Sequence, residues 1–328
     1  MKPKVSSAPA PSQTPKNNTL LYIFLGLLGF GFVALFVVVL LVHHMVAKAT
    51  GTTLLGNSNE ITLIEIQGPI YESDDVVRRI QKFKKSSKTA LLLRLNSPGG
   101  AVAPSQEIYS EILSARKEKK IVVASMSSLA ASGAYYIAAA CDKIVADPGT
   151  LTGSIGVIAE FPDASGLLKK FGLNFQTIKS GKFKDTGAFS RPMNPQEREY
   201  LQGTINEVFE QFVDSVVQGR KDAFSDKLAA KMHVKPTQVT DQQIKNYIMP
   251  YADGRVLTGK KAQELGFVDQ LGNYEDAVRL TAELAGIKGE PTVHLDHPIK
   301  LDDILNNILP FSIGARAKSG FQLEYIAF

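Results

Sequence analysis

Ala90-Leu91-Leu92-Leu93-Arg94-Leu95 runs straight into Asn96-Ser97-Pro98-Gly99-Gly100, and this apolar run closed by a glycine turn decides the fold. A short continuous apolar run is expected of a strand covered on both faces of a sheet. Upstream, Ile61-Thr62-Leu63-Ile64-Glu65-Ile66 reads as a second strand ended by Gly68-Pro69. A helix is expected from about Ser73, with Val76, Val77 and Ile80 at helical spacing and Asp74 and Asp75 in its first turn. Downstream, Pro104 and Ser105 open a helix whose Ile108, Ile112 and Leu113 share a side. Ile121-Val122-Val123-Ala124-Ser125 is the next strand, the run from about Ala131 to Ala140 the next helix, and Lys143-Ile144-Val145-Ala146 another strand. Strands alternating with helices predict an α/β fold with right-handed crossovers and a mostly parallel sheet.

Farther along, Phe175-Gln176-Thr177-Ile178-Lys179 reads as a strand, and Pro195 opens a long helix through about Gly219. Its stripe of Leu201, Ile205, Val208, Phe209 and Phe212 is expected to be core or subunit interface. A helix from Tyr274 to Ala285 and an irregular end from about Glu290 complete the chain. No internal repeat is present, so one catalytic domain is expected.

Ahead of that domain, residues 20–42 carry no charge, and their length matches a membrane-crossing helix. A cleaved leader is the competing reading, with Ala47-Lys48-Ala49 as its cleavage site, but the apolar stretch is longer than a leader core. Lys2, Lys4 and Lys16 precede it and only Lys48 closely follows, which puts the N-terminus in the cytoplasm and the remainder outside. The expected layout is a disordered cytoplasmic tail (1–19), a single transmembrane helix (20–42) and a linker (43–59). A single catalytic domain (60–290) follows, then a C-terminal extension (291–328) of no assigned role.

Composition narrows the function. The 328 residues allow one substantial domain with a real core beyond the anchor. The single cysteine, Cys141, excludes an intrachain disulfide and a cysteine-rich metal site, and its neighbours Ile137-Ala138-Ala139-Ala140 make it a buried structural thiol. The net charge of +5 is dispersed, and its densest cluster, Arg116-Lys117-Glu118-Lys119-Lys120, reads as the solvated end of a helix. No basic stripe interleaved with aromatics exists, so no nucleic-acid partner is expected.

The chemistry centres on Ser132 in Ala130-Ala131-Ser132-Gly133-Ala134-Tyr135-Tyr136. Histidine is nearly absent as a partner: His43 and His44 end the membrane segment, and His233, His294 and His297 lie far downstream. A serine hydrolase built here is expected to use a lysine base, and Lys184 in Ser180-Gly181-Lys182-Phe183-Lys184-Asp185 is the well-spaced candidate. A solvated lysine is neutral in roughly one molecule in a few thousand at pH 7, so burial has to make the base available. A position beside Phe183 and behind a strand is where such burial is expected. Gly133, with one of Gly99 and Gly100, offers backbone N–H donors to an oxyanion, and Ser154 in Thr152-Gly153-Ser154-Ile155-Gly156 offers a hydroxyl to orient the lysine. Taken singly, each has a plainer reading: Ser132 as a helix cap, Lys182 and Lys184 as solvated loop cations, Ser154 as a turn residue.

Asn96 to Gly100, Ala131 to Tyr136, Leu151 to Gly156 and Lys179 to Asp185, in that order, resemble the signal peptide peptidase A family in its short, single-domain, membrane-anchored form. The likeness extends over about Ile61 to Leu271. It implies a ClpP/crotonase-like α/β fold that cuts peptides with a serine-lysine dyad and needs no metal or cofactor. Ser132 would be the nucleophile, Lys184 the base in preference to Lys182, and Ser154 the lysine's partner. Gly133 and the Gly99-Gly100 turn would form the oxyanion hole.

The resemblance further implies a homo-oligomeric ring in the bacterial inner membrane, with its catalytic domain extracytoplasmic, that degrades cleaved signal peptides and other short apolar peptides. The dyad is completed either within a copy or across a subunit boundary. Two other functions compete. A crotonase-type CoA-thioester enzyme would need an acidic base, which these turns lack, and a non-catalytic membrane scaffold would use its helical stripes as the working surface.

Overall fold

The computed structural model describes residues 28–38, 59–296 and 324–326. The chain divides into two units, Met1–Leu55 and Gly56–Phe328. In the first, residues 28–38 form a helix (α1) with exposed apolar side chains such as Phe30, Phe32 and Leu35. The ends of the expected 20–42 span, the tail and almost all of the linker lie outside the described residues. Among the described residues no helix is long and apolar enough to cross a membrane.

The second unit opens with β1 (Glu60–Gln67), α2 (Asp74–Lys85), β2 (Ala90–Ser97), β3 (Gly99–Ala101) and α3 (Val102–Lys117). It continues with β4 (Ile121–Ala131), α4 (Gly133–Ala139), β5 (Lys143–Ala146), β6 (Leu151–Gly153) and α5 (Ser165–Lys170). Next come α6 (Pro195–Gly219), α7 (Lys221–Met232), α8 (Asp241–Ile248), β7 (Val256–Thr258) and α9 (Gly259–Leu265). The last elements are β8 (Gln270–Leu271), α10 (Tyr274–Leu284), β9 (Thr292–Leu295) and β10 (Glu324–Ile326). The main sheet runs β7-β6-β4-β2-β1-β9, with β5 also paired to β4 and β8 to β5. Its pairings are parallel except β6–β7.

The continuous apolar run of β2 has the expected cause. Leu91, Leu93 and Leu95 enter the core that includes α3, α4 and α6, whereas Ala90 and Leu92 enter a smaller one closed by Ala277, Val278 and Ala282 of α10. Alternate side chains therefore meet opposite layers, and neither face reaches water. β1, β4 and β5 divide the same way, with Ile64, Ala124 and Ile144 on one side and Leu63, Val123 and Val145 on the other.

Three departures from expectation have physical reasons. β4 does not stop at Ser125 but runs to Ala131, because its first half pairs with β5 and its last residues, Leu129 to Ala131, pair with β6. Pairing overrides the helical preference of its alanines. Phe175 to Lys179 forms no strand, since no described neighbour pairs with it, and Ile178 is fully exposed. Past Glu290 the chain is not wholly irregular: β9 extends the sheet beside β1, and β10 pairs antiparallel with β3.

The long helix begins and ends as read. Pro195 is its first residue, Asn194 caps it, and Glu197 closes a reciprocal capping box: the Glu197 N–H donates to Asn194 Oδ1 at 2.9 Å and the Asn194 N–H to Glu197 Oε2 at 3.0 Å. At the other end Gly219 passes so near α4 that a Cβ there would lie 2.2 Å from the Ala139 carbonyl oxygen. Phe212, Val213, Val216 and Val217 of α6 are buried, and the Tyr136 hydroxyl meets Ser215 Oγ at 2.6 Å. These contacts hold α4, buried over its whole length, against the end of β4.

Candidate active site

Ser132 is the one residue between the end of β4 and the start of α4, and its backbone is unusual. At φ 54° and ψ −119° it occupies a region that L side chains rarely adopt, at a cost on the order of 1–3 kcal/mol. Two bonds brace the turn: the Ser132 N–H donates to Gly153 O at 2.8 Å, and the Ser132 carbonyl accepts the Tyr136 N–H at 2.8 Å. The side chain does not act as a helix cap. Its Oγ is buried and has no hydrogen-bond partner among the described residues. A sharp strand-to-helix turn that holds an unengaged hydroxyl suits a nucleophile, whereas a capping serine spends its oxygen on the helix.

Ser154 arrives beside it by strand register. Ala130 lies opposite Thr152 and Ala131 opposite Gly153, so Ser132 and Ser154 are the next residues on neighbouring parallel chains about 4.8 Å apart. Ser154 is also left-handed, at φ 51° after Gly153 at φ 75°, and is buried. The Thr152 hydroxyl donates to Ala130 O at 2.7 Å, and the Ser154 N–H to Arg255 O at 2.9 Å, fixing this second turn against both neighbours.

The glycine turn closes the third side. Ser97 of β2 pairs with Ala130 of β4, and β3 packs against α4. Gly99 O accepts from the Ile70 N–H at 2.8 Å and the Ala101 N–H donates to Ile70 O at 2.7 Å, so the Gly100 N–H points to the opposite edge. The Gly99 N–H is taken by Ser97 Oγ at 3.1 Å. This leaves Gly100 as the member of the pair whose N–H faces outward. Glycine is required there, because a Cβ would stand 2.2 Å from Ile70 O. Gly133, first in its helix, has no acceptor within the helix for its N–H.

Ser132, Ser154, Gly133 and the Gly99-Gly100 turn are thus gathered at one end of the sheet, and Lys184 makes no hydrogen bond to any of them. It is exposed in the turns after Ser180, its N–H donates to Gly181 O at 3.1 Å, and its ammonium makes no hydrogen bond or ion pair among the described residues. The burial expected beside Phe183 does not occur within one copy: the Phe183 ring stacks on Tyr200 and carries Lys182 at 4.6 Å. The adjoining Asp185 is held well below the usual carboxylate range by Arg191 first and Lys179 second. Arg191 also binds Glu197, whose carboxyl is lowered by that contact and by the Asn194 N–H. The Asn-x-x-Glu signature before an apolar stripe could have drawn attention to Glu197. Nothing in the spacing marked Arg191.

Beside Ser154 opens a groove of about 410 Å³ lined by Val157, Ile158, Ile205, Phe209 and Val256, with Asp253 at its polar side.

Residues 114–238 and 237–288 match the model of peptidase family S49. The chain belongs to peptidase family S49. It is a serine peptidase. Ser132, Ser154 and Lys184 fall inside the matched stretch, and Gly99-Gly100 lies ahead of it. This S49 peptidase is 40% identical over 230 residues to a Synechocystis protein named as a protease, a match covering 70% of this chain and 75% of that one. It is 31% identical over 280 residues to the chloroplastic serine protease SPPA of Arabidopsis thaliana, covering 80% of this chain but 38% of the plant protein. A protein of Enterococcus faecium named for signal peptide peptidase SppA is 33% identical over 209 residues, covering 63% of this chain and 55% of its own. Among solved structures, a membrane-bound stomatin-specific protease aligns at a TM-score of 0.43 and 16% identity, over 74% of this chain and 99% of that one.

Proposed function

We propose that this peptidase is a membrane-anchored endopeptidase that degrades cleaved signal peptides and other short apolar peptides with a Ser132/Lys184 dyad. The observation that carries the reading is the buried, unengaged Ser132 hydroxyl on its left-handed turn. Ser132 Oγ attacks the scissile carbonyl as Lys184 takes its proton. The N–H groups of Gly133 and Gly100 receive the oxyanion, Lys184 returns the proton to the leaving amine, and water releases the acyl group. Ser154, one strand over, orients the lysine.

An extended peptide has an edge to join. Residues Glu324–Ile326 pair antiparallel with β3, Tyr325 opposite Gly100, so the edge that bears the oxyanion donor accepts an added strand. Strand addition recognises backbone regardless of sequence, and pockets beside it choose the side chains. The apolar groove next to Ser154 suits a peptide of leader composition. Lys184 is exposed and has no ion-pair partner among the described residues, which favours a ring in which neighbouring copies complete each other's sites. The exposed apolar α1 fits the anchor expected over residues 20–42, with the N-terminus cytoplasmic and the catalytic domain outside the bacterial inner membrane.

A serine-directed acylating probe is expected to label Ser132 alone, and an excess of a short apolar peptide to slow that labelling. Labelling elsewhere, or no protection by the peptide, would overturn the reading. Calorimetry with a CoA thioester separates it from a crotonase-type activity, for which binding heat is expected and here is not.

The tail supplies a further expected result. A chain ending at Asp296 keeps β9 and frees the β3 edge, so kcat/KM for a short peptide should rise about three- to tenfold as the competent fraction grows. An unchanged value would show that peptides bind elsewhere.

A further inference from the structure

Lys184 lies on a surface stretch without regular secondary structure, yet a general base has to be delivered to a fixed point. Apolar packing does not fix it, because the lysine is exposed and flanked by turns. The residue after it is tied down strongly. Arg191 Nε donates to Asp185 Oδ2 at 2.9 Å and Nη2 to the Asp185 backbone carbonyl at 3.1 Å. The same guanidinium grips Glu197, with Nη1 at 2.9 Å from Oε2 and Nη2 at 2.5 Å from Oε1, and Nη1 also donates to Pro192 O at 3.1 Å. Lys179 pairs with Asp185 from the other side.

Glu197 is the anchor of this arrangement. Its carboxylate is 1% exposed, and it belongs to the capping box in the first turn of the long helix α6. The backbone next to Lys184 is therefore bolted through one planar fork to the capped first turn of the long helix α6. A fork that spans two carboxylates and two backbone carbonyls is a task for arginine, since a lysine ammonium cannot hold that geometry.

We propose that Arg191 is a positioning residue for Lys184: by binding Asp185 and Glu197 together it sets where the lysine is presented. The inference rests on Lys184 being the base. It explains why so many donors converge on an otherwise exposed loop, and it assigns Asp185 and Glu197 as the two ends of the same strut.

The test uses the full chain in detergent and reads peptide hydrolysis, with labelling of Ser132 by the acylating probe as a second measure. Arg191→Ala should lower kcat about 10- to 100-fold, the loss expected from displacing a catalytic group by about 1 Å, with KM within about threefold. Arg191→Lys should recover only a small part. In a Lys184→Ala background, Arg191→Ala should slow Ser132 labelling no further, because residues acting through one group are not additive. Should Arg191→Ala fail to fold, Asp185→Ala leaves the Arg191–Glu197 contact and the capping box in place, and the same kcat loss is expected.

A folded Arg191→Ala with wild-type kcat, a loss confined to KM, or an added loss in the Lys184→Ala background would overturn the proposal. Full activity in Lys184→Ala alone would instead remove the base assignment on which it stands. The two failures are thus distinguishable.

Discussion

Ser132→Ala is expected to reduce kcat for an apolar peptide by on the order of 10⁴- to 10⁶-fold, as removal of a serine nucleophile does elsewhere, and to leave the fold intact. Both halves of that expectation follow from the turn. The hydroxyl has no hydrogen-bond partner among the described residues, so its removal strands no donor or acceptor. What braces the turn is backbone: Ser132 N–H to Gly153 O and Tyr136 N–H to Ser132 O, which alanine keeps. Alanine inherits the strain of φ 54° that serine already bears, so the change in stability should stay within about 1 kcal/mol. Hydrolysis under saturating peptide and unfolding in urea measure the two quantities side by side. Residual activity above a tenth of wild type would remove Ser132 from the nucleophile's place.

How legible the molecule is in its sequence depends on whether the signal is local. The apolar run of β2 could be read because every residue in it meets a covered layer, and α6 because Pro195 and Gly219 punctuate a stripe of the right period. Ser132, Gly133, Gly99 and Gly100 were readable as small-residue turns behind strands. The choice between the two glycines was not, because it depends on Ile70 and Ser97 claiming the Gly99 side of β3. Strand partners likewise escaped: β9 and β10 are short, and only their register against β1 and β3 makes them strands. Phe175 to Lys179 shows the converse, a strand-like composition left exposed and without regular structure because no described strand pairs with it. Arg191 was invisible for a similar reason, since its role lies in which two carboxylates the fold brings to one guanidinium.

Lys184→Ala is expected to cost about 10² to 10⁴ in kcat, the contribution of a positioned general base, and its interpretation turns on geometry. Among the described residues the Ser132 hydroxyl is buried without a hydrogen-bond partner and the Lys184 ammonium is exposed without one. On the proposed reading these are two halves of one reaction, to be joined when copies associate head to tail, because a heterologous ring brings a different surface of each neighbour to every site. Mixing separates this from a dyad within one copy. Ser132→Ala chains keep the lysine and Lys184→Ala chains keep the serine, so co-assembly from equal amounts regenerates an intact pair only across a boundary. With random placement roughly a quarter of the sites should recover, each requiring one neighbour of either kind. Activity that returns to about that fraction of wild type supports a shared dyad. A mixture as inactive as its components places both residues in one copy and requires the Lys184 loop to move inward to reach Ser132.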